Sequence, residues 1–109
     1  MDTETNVYDE QLSLQLAGGN QDLARQMLEM LLKELPALRT DMNQAYKQGD
    51  KAALYDNVHK INGSTRYCGV PAVGQAANEL ELLLKANHDE LESALADLNT
   101  EIERLLLLA

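Results

Sequence analysis

Apolar residues recur at intervals of three and four along most of this chain, which is the spacing of an amphipathic helix. Glycines and one polar turn divide this pattern into four long segments and a short leading one. The short segment carries Leu12, Leu14 and Leu16. The first long segment has its apolar positions at Leu23, Met27, Met30, Leu31, Leu35, Leu38, Met42 and Ala45, and the second has an inward stripe of Leu54, Val58, Ile61, Thr65 and Cys68. The third has its apolar positions at Val73, Ala76, Ala77, Leu80, Leu83 and Leu84, and the fourth at Leu91, Leu95, Leu98, Ile102 and Leu105.

Polar residues suited to helix starts precede these segments, because a side-chain oxygen can accept a hydrogen bond from a free N–H of the first turn. We predict N-caps at Asp9, Asn20, Asp50 and Asp89. Gly69 is predicted to end the second long helix at its C′ position, with Pro71 in the first turn of the next. Pro36 falls inside the first long helix and is expected to kink it or split it in two.

The predicted fold class is therefore all-α: an antiparallel up-down four-helix bundle with a short extra N-terminal helix. Trp and Phe are absent, so Leu, Ala, Met, Val and Ile must form the core, and this composition favours helix over sheet. The chain of 109 residues is predicted to be a single domain spanning 1–109, with residues 1–7 flexible.

The net charge of −9 weighs against nucleic acid and against anionic membranes as partners. The charge is unevenly distributed, since residues 51–70 carry +2 and residues 79–104 carry −6. A basic region within an acidic protein suits an anion or an acidic partner surface. The alternative is that these few cations serve only solubility.

The cysteine count and the hydropathy of the chain indicate the compartment in which it works. Cys68 is the one cysteine, so no internal disulfide is expected and a reducing compartment is the default. The first ten residues are polar and acidic, unlike a signal peptide, and the apolar run at 105–109 is far too short to span a membrane. We expect a soluble chain, either free or one module of a longer protein.

His59 is the side chain best suited to a chemical role. It follows the buried position Val58 by about 100° around the helix, which places it beside the apolar stripe and within reach of solvent. Gly63 stands one turn later on the same face, where it bares the imidazole. A glycine inside a helix costs about 0.5–1 kcal/mol relative to alanine. Either access to the imidazole or close packing against another helix would explain it, and the spacing alone favours neither.

Other chemistries find little support. Two histidines 29 positions apart and one cysteine are too few for a zinc site, and we predict no metal ligands. The chain contains neither the Glu-x-x-His pairs of di-iron bundles nor a glycine-rich phosphate loop. Ser64 is five residues from His59 and on another face, which argues against a hydrolytic arrangement with Asp56.

The sequence His59-Lys60-Ile61-Asn62-Gly63-Ser64-Thr65, followed by Gly69, resembles the core motif of the histidine-containing phosphotransfer (HPt) domain of bacterial multistep phosphorelays. The continuation through Tyr67-Cys68-Gly69-Val70-Pro71 is similar to the HPt module at the C-terminus of GacS/BarA-type hybrid sensor kinases. The resemblance covers roughly residues 8–107, and the predicted helices agree with it over that length.

The resemblance implies that His59 is the phosphoacceptor of a phosphorelay. The histidine would take a phosphoryl group from the aspartate of one receiver domain and pass it to the aspartate of a response regulator. Mg²⁺ would belong to the receiver, so the domain itself would bind no cofactor, need no ATP and have no kinase activity. Lys60 carries over as a charge partner, and Gly63 would give the receiver room to close over the imidazole. We expect a cytoplasmic monomer, free or tethered to the inner membrane through a longer kinase.

Two positions depart from the family pattern. Asn62 replaces a common lysine, which removes one cation from the phosphate's surroundings, and Arg66 on the same face would partly compensate. Glu81 occupies the position where the family often has a glutamine that bonds the imidazole. A carboxylate there would hold the Nδ1–H and leave Nε2 free to attack. The alternative is that Glu81 is simply a solvated helix residue.

Two other functions remain open from the sequence. A helical adaptor could use the same bundle to bind a partner without any phosphotransfer, in which case binding would be indifferent to His59. A small helical enzyme is disfavoured because no paired catalytic groups are visible.

Overall fold

The computed structural model describes residues 6–108, which form five helices and, within that range, no strand. The helices are α1 Glu10–Leu16, α2 Gln21–Lys47, α3 Lys51–Thr65, α4 Pro71–Lys85 and α5 Glu92–Leu108. The all-α prediction is thereby confirmed. In the part of the chain so described, none of these helices has the length and apolar character that a membrane crossing requires. The predicted flexible segment 1–7 lies mostly outside the described residues, although the carbonyl of Asn6 accepts a hydrogen bond from the Ala72 N–H at 3.0 Å.

Three of the four predicted N-caps are confirmed. The side-chain oxygens of Asp9, Asn20 and Asp50 each accept a hydrogen bond from the N–H three residues later, at 3.0, 3.1 and 3.0 Å. The prediction for Asp89 is wrong, because α5 begins at Glu92. Asp89 lies in the preceding turn, with its carboxylate 3.6 Å from Nζ of Lys51 at the start of α3.

Pro36 does not split α2, which is a single helix of 27 residues. Proline lacks the N–H that would bond the carbonyl four residues earlier, so one hydrogen bond of the helix is missing there. The neighbouring turn is supported by Thr40, whose hydroxyl donates to the carbonyl of Pro36 at 3.0 Å. The long helix is consequently continuous from one end of the bundle to the other.

The four long helices follow one another around the bundle, with α5 returning to contact α2 and α1 packing on α2. Short turns join them, as in an antiparallel up-down arrangement. The inward positions predicted for the second and fourth long segments are all buried, although Cys68 and Leu91 lie just outside α3 and α5. Two predicted for α2 are wrong, since Leu23 and Met30 are 42% and 63% exposed. Each lies about 100° around the helix from the buried residue that follows it, Ala24 and Leu31.

Gly69 has a different role from the predicted one. The helix α3 already ends at Thr65, and Gly69 lies in the following turn with φ +63°. A Cβ at this position would stand only 2.7 Å from the Cα and backbone N of Ser13 in α1. The Gly69 carbonyl also accepts a hydrogen bond from the Asp9 N–H at 2.8 Å. The glycine therefore lets α1 approach the end of the helix that carries His59.

Candidate functional site

His59 lies in the middle of α3 with 60% of its side chain exposed. The preceding residue, Val58, is fully buried in the core. The two side chains are separated by about 100° around the helix, so burial of one leaves the other at the edge of the core. The prediction that the imidazole lies beside the buried stripe and within reach of solvent is confirmed.

The imidazole is joined to α4 by a hydrogen bond with Glu81. Nδ1 of His59 lies 2.9 Å from Oε2 of Glu81. The glutamate is only 3% exposed, so the alternative of a solvated helix residue is wrong. A carboxylate buried in a helix interface needs hydrogen bonds to offset the loss of water. The bond to His59 is one of these, and it fixes the orientation of the imidazole ring.

Several other groups surround the Glu81 carboxylate. The side-chain amide of Asn62 donates to Oε1 at 2.8 Å, and Nζ of Lys85 lies 3.5 Å from Oε2. Burial raises the pKa of this carboxyl, but the hydrogen bonds from Asn62 and His59 and the charges of His59 and Lys85 outweigh that effect. Together they lower the pKa of Glu81 to about 2. The carboxylate is therefore ionised at neutral pH.

Asn62 does not lie on an exposed face together with Arg66, as the sequence had indicated. It is 5% exposed and points towards α4, where it bonds Glu81 and lies 3.4 Å from the side-chain oxygen of Asn78. Its position three residues after His59 lies on the border between the buried stripe and the polar face. Packing of α4 against α3 turns that border into interior, so Asn62 supports the carboxylate rather than the exposed side of the imidazole.

The surface next to His59 is open at Gly63. A Cβ added to Gly63 would meet no atom within 4 Å, so the close-packing explanation for this glycine is wrong. Lys60 and Arg66 are both exposed, and neither forms an ion pair with any residue between 6 and 108. Gly63, Lys60 and Arg66 thus lie on the exposed surface around the imidazole, while Asn62 and Glu81 lie beneath it.

Two neighbours of this site were not identified from the sequence as contributors. The ring of Tyr55 stacks on the imidazole of His59, with centroids 5.8 Å apart and planes at 15°. Lys85 reaches the buried oxygen of Glu81. Both stand four residues from a predicted site residue on the same helix, Tyr55 before His59 and Lys85 after Glu81. The rule that positions i and i+4 share a helix face could have found them.

The arrangement determines which nitrogen of His59 can react. An ionised carboxylate only accepts hydrogen bonds, so Nδ1 of the neutral imidazole must carry the proton. Nε2 then has the lone pair, and no side chain or backbone group between residues 6 and 108 forms a hydrogen bond to it. The same range contains no group of three or more histidine, cysteine or acidic residues able to hold a metal ion. The site is a single exposed nucleophile with a buried anion behind it.

Known proteins resemble this chain along most of its length. The family model described as Hpt domain matches residues 26–107. The chain is 44% identical over 99 residues to the sensor protein GacS of Pseudomonas syringae pv. syringae, covering 91% of this chain and 11% of that protein. It is 35% identical over 101 residues to the signal transduction histidine-protein kinase BarA of Escherichia coli K12, again covering 91% and 11%. The chain thus spans about a tenth of the length of these relatives.

A solved structure has the same fold. It is the HPT domain of an Hpt sensor hybrid histidine kinase from Shewanella, with a TM-score of 0.89 and 31% sequence identity. The match covers 94% of this chain and 89% of the other. The similarity therefore extends over nearly the whole bundle, including both helices of the site, α3 and α4.

Proposed function

This chain belongs to the Hpt domain family, and from that premise we propose that it is a phosphorelay intermediate of two-component signalling. His59 accepts a phosphoryl group from the phosphoaspartate of one receiver domain and passes it to the aspartate of a response regulator. The observation that supports this most directly is the bond between Nδ1 of His59 and the buried Glu81 at 2.9 Å, which leaves Nε2 of an exposed imidazole as the nucleophile.

In the transfer step, the Nε2 lone pair attacks the phosphorus atom of the aspartyl phosphate. The new N–P bond forms as the P–O bond to the aspartate breaks, and that bond's electron pair stays on the released carboxylate. No proton has to leave the imidazole, because the attacking nitrogen carries none. The ring becomes a cation that retains its Nδ1–H, and the negative charge of Glu81 offsets it. The onward transfer to the second aspartate is the reverse of the same step.

The surface around His59 suits an approaching receiver. The open space at Gly63 gives clearance for the active site that closes over the imidazole. Lys60 and Arg66 are exposed and form no ion pair with residues 6–108, so both can offset the charge of a phosphoryl group. Mg²⁺ and the acidic residues that bind it would be supplied by the receiver.

The names of the relatives suggest the setting. Sensor histidine kinases contain regions similar to this chain, so we infer that the domain works as a module of such a kinase or beside one. By itself the domain would use no ATP and act as a monomeric acceptor and donor in the cytoplasm. A longer sensor kinase would tether it to the inner membrane.

The proposal is tested by incubating the purified domain with Mg²⁺ and receiver domains that have been labelled with radioactive acetyl phosphate. The domain should acquire label with the acid-labile, base-stable behaviour of a phosphohistidine. His59→Gln should abolish labelling and leave the helical circular dichroism spectrum unchanged. His88→Gln is the matched control, because His88 lies in the exposed turn before α5 and should not affect the labelling.

Two outcomes would contradict the proposal. Equal labelling of His59→Gln and the parent would show that another residue accepts the phosphoryl group. If the parent is never labelled, and the parent and His59→Gln bind receivers with equal affinity, the domain is instead the non-catalytic adaptor considered from the sequence.

A further inference from the structure

The side-chain amide of Asn62 lies beneath the exposed surface of the site. The residue lies in α3, three residues after His59, and is 5% exposed. Its nitrogen donates to Oε1 of Glu81 at 2.8 Å and lies 3.4 Å from the side-chain oxygen of Asn78. A buried amide without partners would be strongly unfavourable. The contact with Glu81 is therefore the principal reason that an asparagine can be accommodated here.

The two oxygens of Glu81 have different partners. Oε1 accepts from Asn62, whereas Oε2 accepts from Nδ1 of His59 at 2.9 Å. Oε2 also lies 3.5 Å from Nζ of Lys85 and 3.5 Å from the hydroxyl of Tyr55. A carboxylate held at both oxygens cannot rotate about its terminal bond. If Asn62 were removed, Oε1 would lose its shortest hydrogen bond and the carboxylate could turn towards Lys85.

We propose that Asn62 is a positioning residue that acts through Glu81 to keep the proton of the neutral His59 imidazole on Nδ1. The role of His59 in phosphotransfer is taken from the proposed function, but the inference itself concerns the protein before any phosphoryl group arrives. It matters for transfer because the other tautomer has its proton on Nε2 and therefore lacks the lone pair that attacks phosphorus. Asn62 sets the fraction of molecules that are ready to react.

The groups that face this pair are few, which makes the proposal specific. From α3, Tyr55 stacks on the imidazole and reaches Oε2, while Asn62 holds Oε1. From α4, Lys85 is the other charged group near the carboxylate. The closest contacts of Tyr55 and Lys85 with the carboxylate are both to Oε2. The orientation of the carboxylate plane consequently depends on the Asn62 amide.

The ring nitrogens of His59 can be followed directly by ¹⁵N NMR on the whole domain. At about pH 9, where imidazoles are neutral, the wild-type protein should show a protonated Nδ1 and an unprotonated Nε2. Asn62→Leu keeps the approximate shape of the side chain and removes the hydrogen bond. This variant should shift the signals towards a mixture of the two tautomers. The rate of phosphoryl transfer from a phosphorylated receiver should fall by about tenfold. This is the lower end of the loss in activity expected when an outer hydrogen-bond partner of a reactive histidine is removed.

Asn43→Leu is the matched control. Asn43 also forms side-chain amide bonds in a helix interface, to Asn99 at 2.9 Å between α2 and α5. Its loss should leave the His59 signals unchanged, because it does not contact Glu81. A change of similar size in both variants would indicate a general effect of losing an amide from a helix interface and would overturn the proposal.

Two further results would overturn it. One is a folded Asn62→Leu variant whose His59 tautomer ratio equals that of the wild type. The other needs no variant and applies even if Asn62→Leu does not fold: a wild-type imidazole with its proton on Nε2. Failure of the proposed function is separate, since His59 could show the expected tautomer response and yet take no phosphoryl group from any receiver.

Discussion

Nδ1 of His59 and Oε2 of Glu81 lie 2.9 Å apart, and the first side chain is 60% exposed whereas the second is 4% exposed. The pair connects the surface of the bundle with its interior. An exposed imidazole on a free side chain would sample several rotamers and both tautomers. Here a buried carboxylate, held by neighbouring groups in α3 and α4, sets the orientation of the ring and the position of its proton.

The first prediction concerns replacement of Glu81 by glutamine. Asn62 and His59 donate to different oxygens of Glu81, and a glutamine has an acceptor oxygen at only one of these two positions. The glutamine also carries no charge to offset the phosphoimidazolium. We expect Glu81→Gln to slow single-turnover transfer by about tenfold or more and to lower the free energy of unfolding by about 1–3 kcal/mol. Glu79→Gln, at an exposed position of α4, is the control and should alter neither quantity appreciably. Equal rates for both variants would contradict this role of the carboxylate.

The second prediction concerns acid. The pKa of Glu81 is lowered to about 2 from an ordinary value of 4.5. A lowered pKa stabilises the folded state above the unfolded-state value, and that stabilisation is lost as the pH falls from about 4.5 towards 2. By linkage the loss is on the order of 3 kcal/mol at most. Urea unfolding at pH 6 and at pH 2.5 should show that wild type loses more stability than Glu81→Gln. The other acidic residues are common to both proteins. An equal loss of stability in wild type and Glu81→Gln would therefore contradict the lowered pKa of Glu81.

Gly63 offers a test that separates folding from docking. Its position in α3 is helical and a Cβ there would touch nothing. We therefore expect Gly63→Ala to raise the free energy of unfolding by about 0.5–1 kcal/mol, through helix propensity. A larger side chain, in Gly63→Leu, should leave the fold intact and strongly slow transfer from a receiver.

Ala52→Leu is the control for Gly63→Leu, since Ala52 is exposed near the start of the same helix. Stopped-flow or quenched transfer assays on the two leucine variants would give the comparison. If Gly63→Leu transferred as fast as Ala52→Leu, the space over Gly63 would not be the receiver's path to the imidazole.

Gly69 and Gly18 form a matched pair for a fourth prediction. Both have positive φ, at +63° and +67°, so alanine is strained at either position. At Gly18 nothing lies within 4 Å of the added Cβ, whereas at Gly69 the Cβ would meet the backbone of Ser13 at 2.7 Å. We expect Gly18→Ala to cost about 1 kcal/mol of unfolding free energy. Gly69→Ala should cost about 2–4 kcal/mol, because strain and backbone displacement add. Urea unfolding measures both, and equal losses would contradict the close approach of α1.

Much of the fold follows from short-range patterns in the chain. The apolar residues of α3 and α5 occupy one face at helical spacing, and their burial requires only that each helix finds a partner. The caps Asn20 and Asp50 act within three residues of their own position, so local sequence is sufficient to find them. Asp89 failed as a cap because the turn before α5 extends to Leu91, and nothing in the local pattern distinguishes a turn residue from an N-cap there.

Some features of the site depend on a single helix, and others depend on the packing of two helices. His59 follows the buried Val58 by about 100° around α3, so helical periodicity was enough to predict an exposed imidazole. The burial of Asn62 and Glu81 depends on how α3 and α4 are rotated against each other. Residues at the border of an apolar stripe become interior or surface according to that rotation, which the spacing along one helix does not specify.

The sequence by itself therefore determined the helices, their order and the exposed position of His59, because these depend on periodicity and on contacts within one or two turns. The tertiary structure decided that Glu81 is a buried acceptor rather than a solvated side chain. It also decided that Asn62 supports that carboxylate, and that Gly63 faces open space while Gly69 contacts α1. The physical reason is the same in each case: burial and clearance are properties of two packed elements, and neither element encodes them alone.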